Sequence, residues 1–253
     1  MKKIALITGA TSGIGRATAK ALADCDYNLI ITGRRRERLE DLKNELKKQC
    51  QLEVLTRCFD IRDRHAVTSA LCDMPETWRA VDVLVNNAGL AVGLNHIQDG
   101  EIDDWERMID TNVKGLLYVT RTIAPWMVAR HSGHIVNLCS IAGKEVYENG
   151  NVYCATKHAI DALSKAMRMD MLPHGVKVTN ICPGAVETEF SIVRFKGDKT
   201  RADKTYEGIE PLTGEDIANI IRFAVTAPDH VCLNDIVITP KAQANASMFY
   251  RKK

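Results

Sequence analysis

A short apolar run, Ile4-Ala5-Leu6-Ile7, passes directly into Thr8-Gly9-Ala10-Thr11-Ser12-Gly13-Ile14-Gly15, and a helical pattern begins inside that turn. A buried strand that turns at once into a helix needs residues that accept unusual backbone angles and close approach. Such a turn also aims unpaired N–H groups and a partial positive charge beyond the strand end, which suits a phosphate. The spacing is G-x-x-x-G-x-G, not the general G-x-G-x-x-G fingerprint. Glycines also serve helix–strand packing alone. Gly9, Thr11, Ser12, Gly13, Ile14 and Gly15 are therefore phosphate candidates with that alternative beside them.

The rest of the chain continues the same rhythm. Residues 4–8, 28–32, 52–59, 81–86, 134–139, 176–182 and 236–239 read as buried strands, rich in Val, Ile and Leu and without clean alternation. Helical patterns fall near 13–25, 35–49, 62–73, 104–130, 151–172 and 213–226. Six crossovers between seven strands predict an α/β fold: a single-domain, Rossmann-like, doubly wound parallel sheet with helices on both faces. The whole of residues 1–253 reads as one domain, since no repeat or low-complexity linker interrupts it. The polar segment at about 187–211 breaks the rhythm and is expected to be irregular and mobile.

The end of the second predicted strand carries Thr32-Gly33-Arg34-Arg35-Arg36. Chains that prefer NAD place an acid there for the ribose hydroxyls. No carboxylate follows this strand, whereas Arg34 and Arg35 suit a 2′-phosphate. The arginines could instead open a solvated helix, but cations are unfavourable at a helix N-terminus. NADP is thus the expected cofactor. Asp60, with Ile61 beside it, follows the third strand, where it could meet an adenine amino group or cap the next helix. Asn86 ends the fourth strand, with cofactor contact and strand tying equally open to it. Asn87, Ala88 and Gly89 are small enough to pass close to a second ribose.

Ser140 follows the fifth strand, on the sheet edge where such folds bind ligands. Thirteen positions on, Tyr153 and Lys157 stand four apart on a predicted helix, hence on one face. A nearby ammonium favours the phenolate, so the pair predicts a Tyr153 pKa lowered towards neutrality. A tyrosine so tuned can exchange a proton with an alcohol oxygen. A serine hydroxyl can donate a hydrogen bond to that oxygen as charge develops. Y-x-x-x-K by itself is also an ordinary surface pair; the strand-end serine and the upstream glycine turn set this one apart.

On these motifs the chain resembles the short-chain dehydrogenase/reductase family over nearly its full length. The resemblance implies a catalytic set of Asn112, Ser140, Tyr153 and Lys157, with Asn112 in a kinked helix beside a water that relays protons to Lys157. It also implies that Tyr153, Lys157, Pro183, Gly184, Val186 and Thr188 meet the nicotinamide side of the nucleotide, that hydride moves at nicotinamide C4, and that the strand order is 3-2-1-4-5-6-7. Val85–Ala91, Trp105–Asn112, Gly150–Tyr153 and Thr188–Asp198 are similar to the bacterial NADP-dependent 3-hydroxy acid dehydrogenases, also described as serine or L-allo-threonine dehydrogenases. Ala185-Val186-Glu187 departs from the glycine pair that group often carries.

A small hydroxy acid such as L-serine, L-allo-threonine or 3-hydroxyisobutyrate brings a carboxylate that needs a cation once desolvated. Arg194 is the candidate anchor, acting with Ser140 and Tyr153, while Lys196 reads as a solvated loop residue. One alternative is a 3-oxoacyl thioester or other carbonyl reductase of the same superfamily, served by a basic patch from Arg194, Lys196, Lys199 and Arg201. A non-enzymatic NADP-binding regulator is the other, disfavoured because Tyr153 and Lys157 are both present.

Thirty-four Lys+Arg against 32 Asp+Glu leave a formal net charge of +2, which argues against nucleic acid or an anionic membrane as main partner. The apolar run after Met1-Lys2-Lys3 breaks too soon for a signal peptide. A soluble, cytoplasmic protein is expected, its eight cysteines as free thiols. His131 and His134 stand three apart with no third ligand in view, so no metal is expected. Apolar residues on more than one face of the 104–130 and 151–172 helices predict a homo-oligomer. Family resemblance favours a tetramer, with a dimer also possible. The tail, 247–253, is expected to pack across an interface or to fray.

Overall fold

The computed structural model describes residues 2–252. Strands β1 (Ile4–Ile7), β2 (Asn28–Gly33), β3 (Val54–Cys58), β4 (Val81–Asn86), β5 (Gly133–Leu138), β6 (Val176–Pro183) and β7 (Asp235–Ile238) pair in parallel. They form one sheet in the order β3-β2-β1-β4-β5-β6-β7. Helices α1 (Gly13–Ala23), α2 (Arg36–Gln49), α3 (Arg64–Cys72), α4 (Ile102–Ile109), α5 (Leu116–Arg130), α6 (Asn151–Met171), α7 (Glu189–Arg194), α8 (Lys199–Lys204) and α9 (Gly214–Thr226) lie between them.

Strand pleat explains the apolar runs. Ile4 and Leu6 enter a layer with Leu71 of α3, Ile123 of α5 and Ile160 of α6. Ala5 and Ile7 enter the opposite layer with Leu22 of α1, Leu42 of α2 and Ile221 of α9. Successive side chains of β1 thus feed two separate cores, and neither face has room for a polar residue. Each buried aliphatic side chain contributes about 1.5–3 kcal/mol. The strand order reverses between β1 and β4, and this opens a crevice above their carboxyl ends.

Two expectations change, and the tail gains contacts. The 104–130 helix is two helices joined by a π-helical segment, Asp110–Gly115, and α5 carries Pro125. A π segment widens the turn and re-aims the side chains it holds. The 187–211 segment is not irregular. It contains α7, capped by Thr188 Oγ1 on the N–H of Phe190, and α8, capped by Asp198 Oδ1 on that of Arg201. Its polarity reflects short helices with exposed faces, not an absence of order. The described part of the tail bonds to its own chain: Tyr250 N–H reaches Ala242 O at 2.8 Å, and Lys252 N–H reaches Gly208 O at 2.9 Å.

Candidate active site

The glycine turn is built by its neighbours. Gly9 sits at φ +67°, in the left-handed region that side chains disfavour. At Gly15 a Cβ would lie 2.4 Å from Asn87 Nδ2 and 2.5 Å from Gly9 O. Packing alone therefore requires glycine at 15, and Gly15 stands outside the cavity above the turn. Asn87 Nδ2 donates to Thr8 O at 2.8 Å, and the backbone N–H groups of Asn87 and Ala88 both reach Thr8 Oγ1 at 3.0 Å. These bonds lock the ends of β1 and β4 together. Asn86 resolves to its structural role: it is 3 % exposed, and its Nδ2 donates to Asn137 Oδ1 and Thr120 Oγ1, both at 2.9 Å.

That cavity, about 560 Å³, runs along the carboxyl edge of the sheet. Gly9, Thr11, Ser12, Gly13, Ile14, Arg34, Arg35, Asp60, Ile61, Asn87, Ala88 and Gly89 line it, as do Pro183, Gly184, Val186 and Thr188. At one end Arg35 is pinned over the turn. Its Nε and Nη2 donate to Thr11 Oγ1 at 3.1 and 2.8 Å, and Nη2 also reaches Ser12 Oγ at 2.8 Å. Its Nη1 meets Glu189 at 2.8 Å, and Arg38 holds the other Glu189 oxygen at 2.6 Å. A carboxylate therefore does stand at the end of β2, supplied by α7. Asp60 takes a bidentate contact from Arg62 and lies 3.7 Å from Arg34. Burial raises its pKa, but the hydrogen bonds and charge of Arg62 and the charge of Arg34 hold it below the usual range. Asp60 is not the helix cap; Asp63 caps α3 through the N–H of Ala66.

Ser140, Tyr153, Lys157 and Arg194 line the other end. Ser140 Oγ accepts from the N–H of Ala142 at 3.1 Å and donates to Pro183 O at 3.3 Å, which fixes it beside β6. Tyr153 and Lys157 face the cavity from one side of α6, the Lys157 ammonium 5.8 Å from the Tyr153 ring centroid and donating to Leu138 O at 2.9 Å. The expected lowering of the Tyr153 pKa is overturned. Burial drives the phenol well above its ordinary value, and the Tyr147 phenol adds to the rise. A hydrogen bond with Ser140 and the charge of Arg194 oppose the rise without cancelling it. Burial likewise lowers the pKa of Lys157. Desolvation wins because both groups are buried beside largely apolar walls.

Asn112 is 1 % exposed, lies in the π segment and stands outside the cavity lining. Its amide exchanges two 2.8 Å bonds with the backbone of Leu90 and donates to Thr156 Oγ1 at 3.1 Å. It fastens the loop after β4 to α6, one residue from Lys157.

Arg194 reaches inward. Its Nη2 donates to Tyr147 Oη at 2.8 Å, and its guanidinium carbon lies 5.3 Å from the Tyr147 ring and 5.5 Å from the Tyr153 ring. Its Nε is buried without a hydrogen-bond partner. Lys196 is 57 % exposed in the turn after α7 and pairs with Asp104 Oδ2 at 2.8 Å, tying the end of α7 to α4. Sequence reasoning missed Tyr147, Glu189, Phe190 and Phe249, which also line the cavity. Phe190 packs edge-on against Tyr153 at 5.7 Å. Only its place beside Thr188 could have drawn attention to Glu189, and Tyr147 lies in a loop without pattern.

His131 and His134 do not converge on a shared ligand. His131 ends α5 in a left-handed turn, and His134 is buried in β5 with Nε2 at 2.7 Å from Thr179 Oγ1, where burial lowers its pKa to about 4. Among the described residues no group of three His, Cys, Asp or Glu is placed to hold a metal ion.

Residues 3–199 match the family model described as short chain dehydrogenase. The chain belongs to this family. Among relatives of this short-chain dehydrogenase, the NADP-dependent 3-hydroxy acid dehydrogenase YdfG of Salmonella typhimurium is 46 % identical over 97 % of this chain and 98 % of its own. Sulfoacetaldehyde reductase 2 of Chromohalobacter salexigens is 44 % identical over 96 % of each chain. Among solved structures, the closed form of serine dehydrogenase complexed with NADP+ superposes with a TM-score of 0.92 at 42 % identity, covering 99 % of this chain and 100 % of the other.

Proposed function

We propose that this short-chain dehydrogenase transfers a hydride between NADP(H) and a small 3-hydroxy acid such as L-serine, L-allo-threonine or 3-hydroxyisobutyrate. Arg194 carries the proposal. A guanidinium with a buried, unpaired Nε stands over the Tyr153 ring in the same cavity as Ser140. A buried donor left unsatisfied costs about 1–3 kcal/mol, and a substrate carboxylate would satisfy it. A 3-hydroxy acid and sulfoacetaldehyde, substrates named for the relatives, each join an anionic head to an alcohol or carbonyl a few bonds away.

The residues fit NADP. The Gly9–Gly13 turn and the N-terminus of α1 suit a pyrophosphate, since the Ser12 cap leaves the first helical N–H groups unbonded by its side chain. Arg34 and Arg35 would take the 2′-phosphate, and Asp60 and Ile61 the adenine. Asn87, Ala88 and Gly89 would follow the second ribose, with Pro183, Gly184, Val186 and Thr188 on the nicotinamide side. NADP, when bound, supplies the hydride carrier. Tyr153 exchanges the proton with the substrate oxygen, and Ser140 donates a hydrogen bond to that oxygen as charge develops. Lys157 steadies the nicotinamide ribose and, with Arg194, supplies the positive charge that a buried phenolate requires. Asn112 positions a water that relays protons to Lys157. The segment 187–211 acts as a mobile lid on a single domain.

A paired assay tests this. NADP⁺ and NAD⁺ are offered with the three hydroxy acids, and NADPH with an acetoacetyl thioester. Reduction of NADP⁺ by a hydroxy acid is expected, and activity confined to the thioester would overturn the assignment. Pairing of Lys196 with Asp104 already removes one cation from the basic patch that an acidic carrier protein would need.

We further propose a cytoplasmic homo-oligomer, tetramer favoured over dimer. Exposed apolar side chains support association: Leu117 on α5, Met169 on α6, Phe223 on α9 and Val237 on β7. Sedimentation would give the state directly. Among the described residues no helix is long and apolar enough to cross a membrane.

A further inference from the structure

Glu189 stands at the nucleotide end and is not used by the proposed reaction. It stands at the first position of α7, yet its two carboxylate oxygens meet guanidiniums at the start of α2, 2.8 Å from Arg35 and 2.6 Å from Arg38. Arg35 and Glu189 line the same cavity as Thr11 and Ser12. The Arg35 side chain is 41 % exposed, that of Arg38 45 % and that of Glu189 43 %. An exposed ion pair is weakly held and screened by salt, so its partners re-pair at little cost. The carboxyl is nonetheless kept ionised: burial raises its pKa, but Arg35 and Arg38 together hold it below the usual range.

We propose that Glu189 tempers the preference for a 2′-phosphorylated nucleotide by competing with the 2′-phosphate for Arg35. This rests on the NADP reading above. A phosphate arriving at Arg35 displaces one carboxylate oxygen, and Glu189 remains tethered through Arg38. The 2′-phosphate gains Arg35 only by breaking this ion pair, so Glu189 weakens binding of a 2′-phosphorylated nucleotide and leaves a nucleotide with a free 2′-hydroxyl unaffected. The cation cluster at a helix N-terminus thereby has an internal anion whenever no phosphate takes that place.

The test is the dissociation constants of NADPH and NADH, read by nicotinamide fluorescence without substrate, for the wild type, Glu189→Gln, Arg35→Ala and the double variant. In Glu189→Gln the NADPH constant is expected to fall roughly three- to fivefold at low salt, the scale of one exposed charge pair, and the gain to shrink at high salt. The NADH constant is expected to stay within twofold. In the Arg35→Ala background the Glu189 substitution is expected to lose its effect, as two coupled residues do in a double-mutant cycle. An NADPH constant that is unchanged or higher in Glu189→Gln overturns the proposal. So does an equal change for both nucleotides, which would report a loosened lid, or weaker NADH binding alone, which would make Glu189 a ribose-hydroxyl acceptor. A wild type that binds NADH as tightly as NADPH would instead sink the NADP reading itself. Thermal melts of each variant confirm that folded protein is compared.

Discussion

Beside the nucleotide end of the cavity Arg35 and Arg38 both pair with Glu189 and all three are nearly half exposed, whereas at the substrate end Tyr153 and Lys157 are only 8 % and 5 % exposed. The exposed groups are held by partners, and water is at hand to replace any partner lost. The buried groups are shifted by burial before any partner acts: the Tyr153 phenol upward, the Lys157 ammonium downward. Exposure therefore suits one end to exchanging ions and the other to moving protons. A charge in water is cheap to re-pair, while a desolvated one changes protonation with each nearby charge.

The largest effect that could break this contrast lies at Tyr153. Tyr153→Phe removes the proton donor and is expected to lower kcat by roughly 10²–10⁴-fold, with NADPH binding unchanged by fluorescence titration. A loss of nucleotide binding equal to the loss of rate would show that the two ends are not separable. Next is Arg194→Met, which removes the cation beside the phenol. It is expected to raise KM for a hydroxy acid by roughly tenfold or more, the scale of a lost hydrogen bond to a charged group.

The same variant has a signed pH consequence. Arg194 lowers the Tyr153 pKa against the effect of burial, so its loss raises that pKa further, and the rising limb of the pH profile for alcohol oxidation moves to higher pH. A profile that stays in place while KM rises would leave Arg194 as an anchor only. Smallest is Asp104→Asn, which unties Lys196 at the far end of α7. Although Asp104 is largely buried, the Lys196 side of this pair is exposed, so the change in KM is expected to be no more than about fivefold, read in steady-state assays, with a smaller effect at high salt. A change as large as that of Arg194→Met would make the latch part of the substrate site.

His134 gives a control outside the cavity. Its pKa falls to about 4 from an ordinary 6.5, because burial in β5 penalises the charged ring. The unfolded chain binds more protons between those values. Stability conferred by the neutral ring is thus present above pH 6.5 and lost as pH falls towards 4. His134→Gln is expected to flatten that part of the stability–pH curve in denaturant titrations.

Much of the architecture is legible in the chain because strand and helix periods are local. All seven strands lie within a few residues of their expected places, since six of them feed apolar residues to two faces and β7 feeds Ile236 and Ile238 to one, with Val237 exposed. The π segment at Asn112 is less legible, because it depends on what Asn112 bonds across 22 and 44 residues of chain. The 187–211 segment looked irregular because helices of six residues bury too little to impose a period.

From the sequence by itself come the strand–turn–helix start, the spacing of Tyr153 and Lys157 and the arginines after β2, each a matter of neighbours within a few residues. Tertiary structure alone decided how those groups are charged and paired. Burial depends on what packs around a side chain, so only folding could push the Tyr153 phenol up instead of down. Contact across 154 residues brings Glu189 to Arg35 and supplies the acid that the strand end lacked. Periodicity carries no information about such distances, because they are set by the reversal of the sheet and the closing of α7 over its edge.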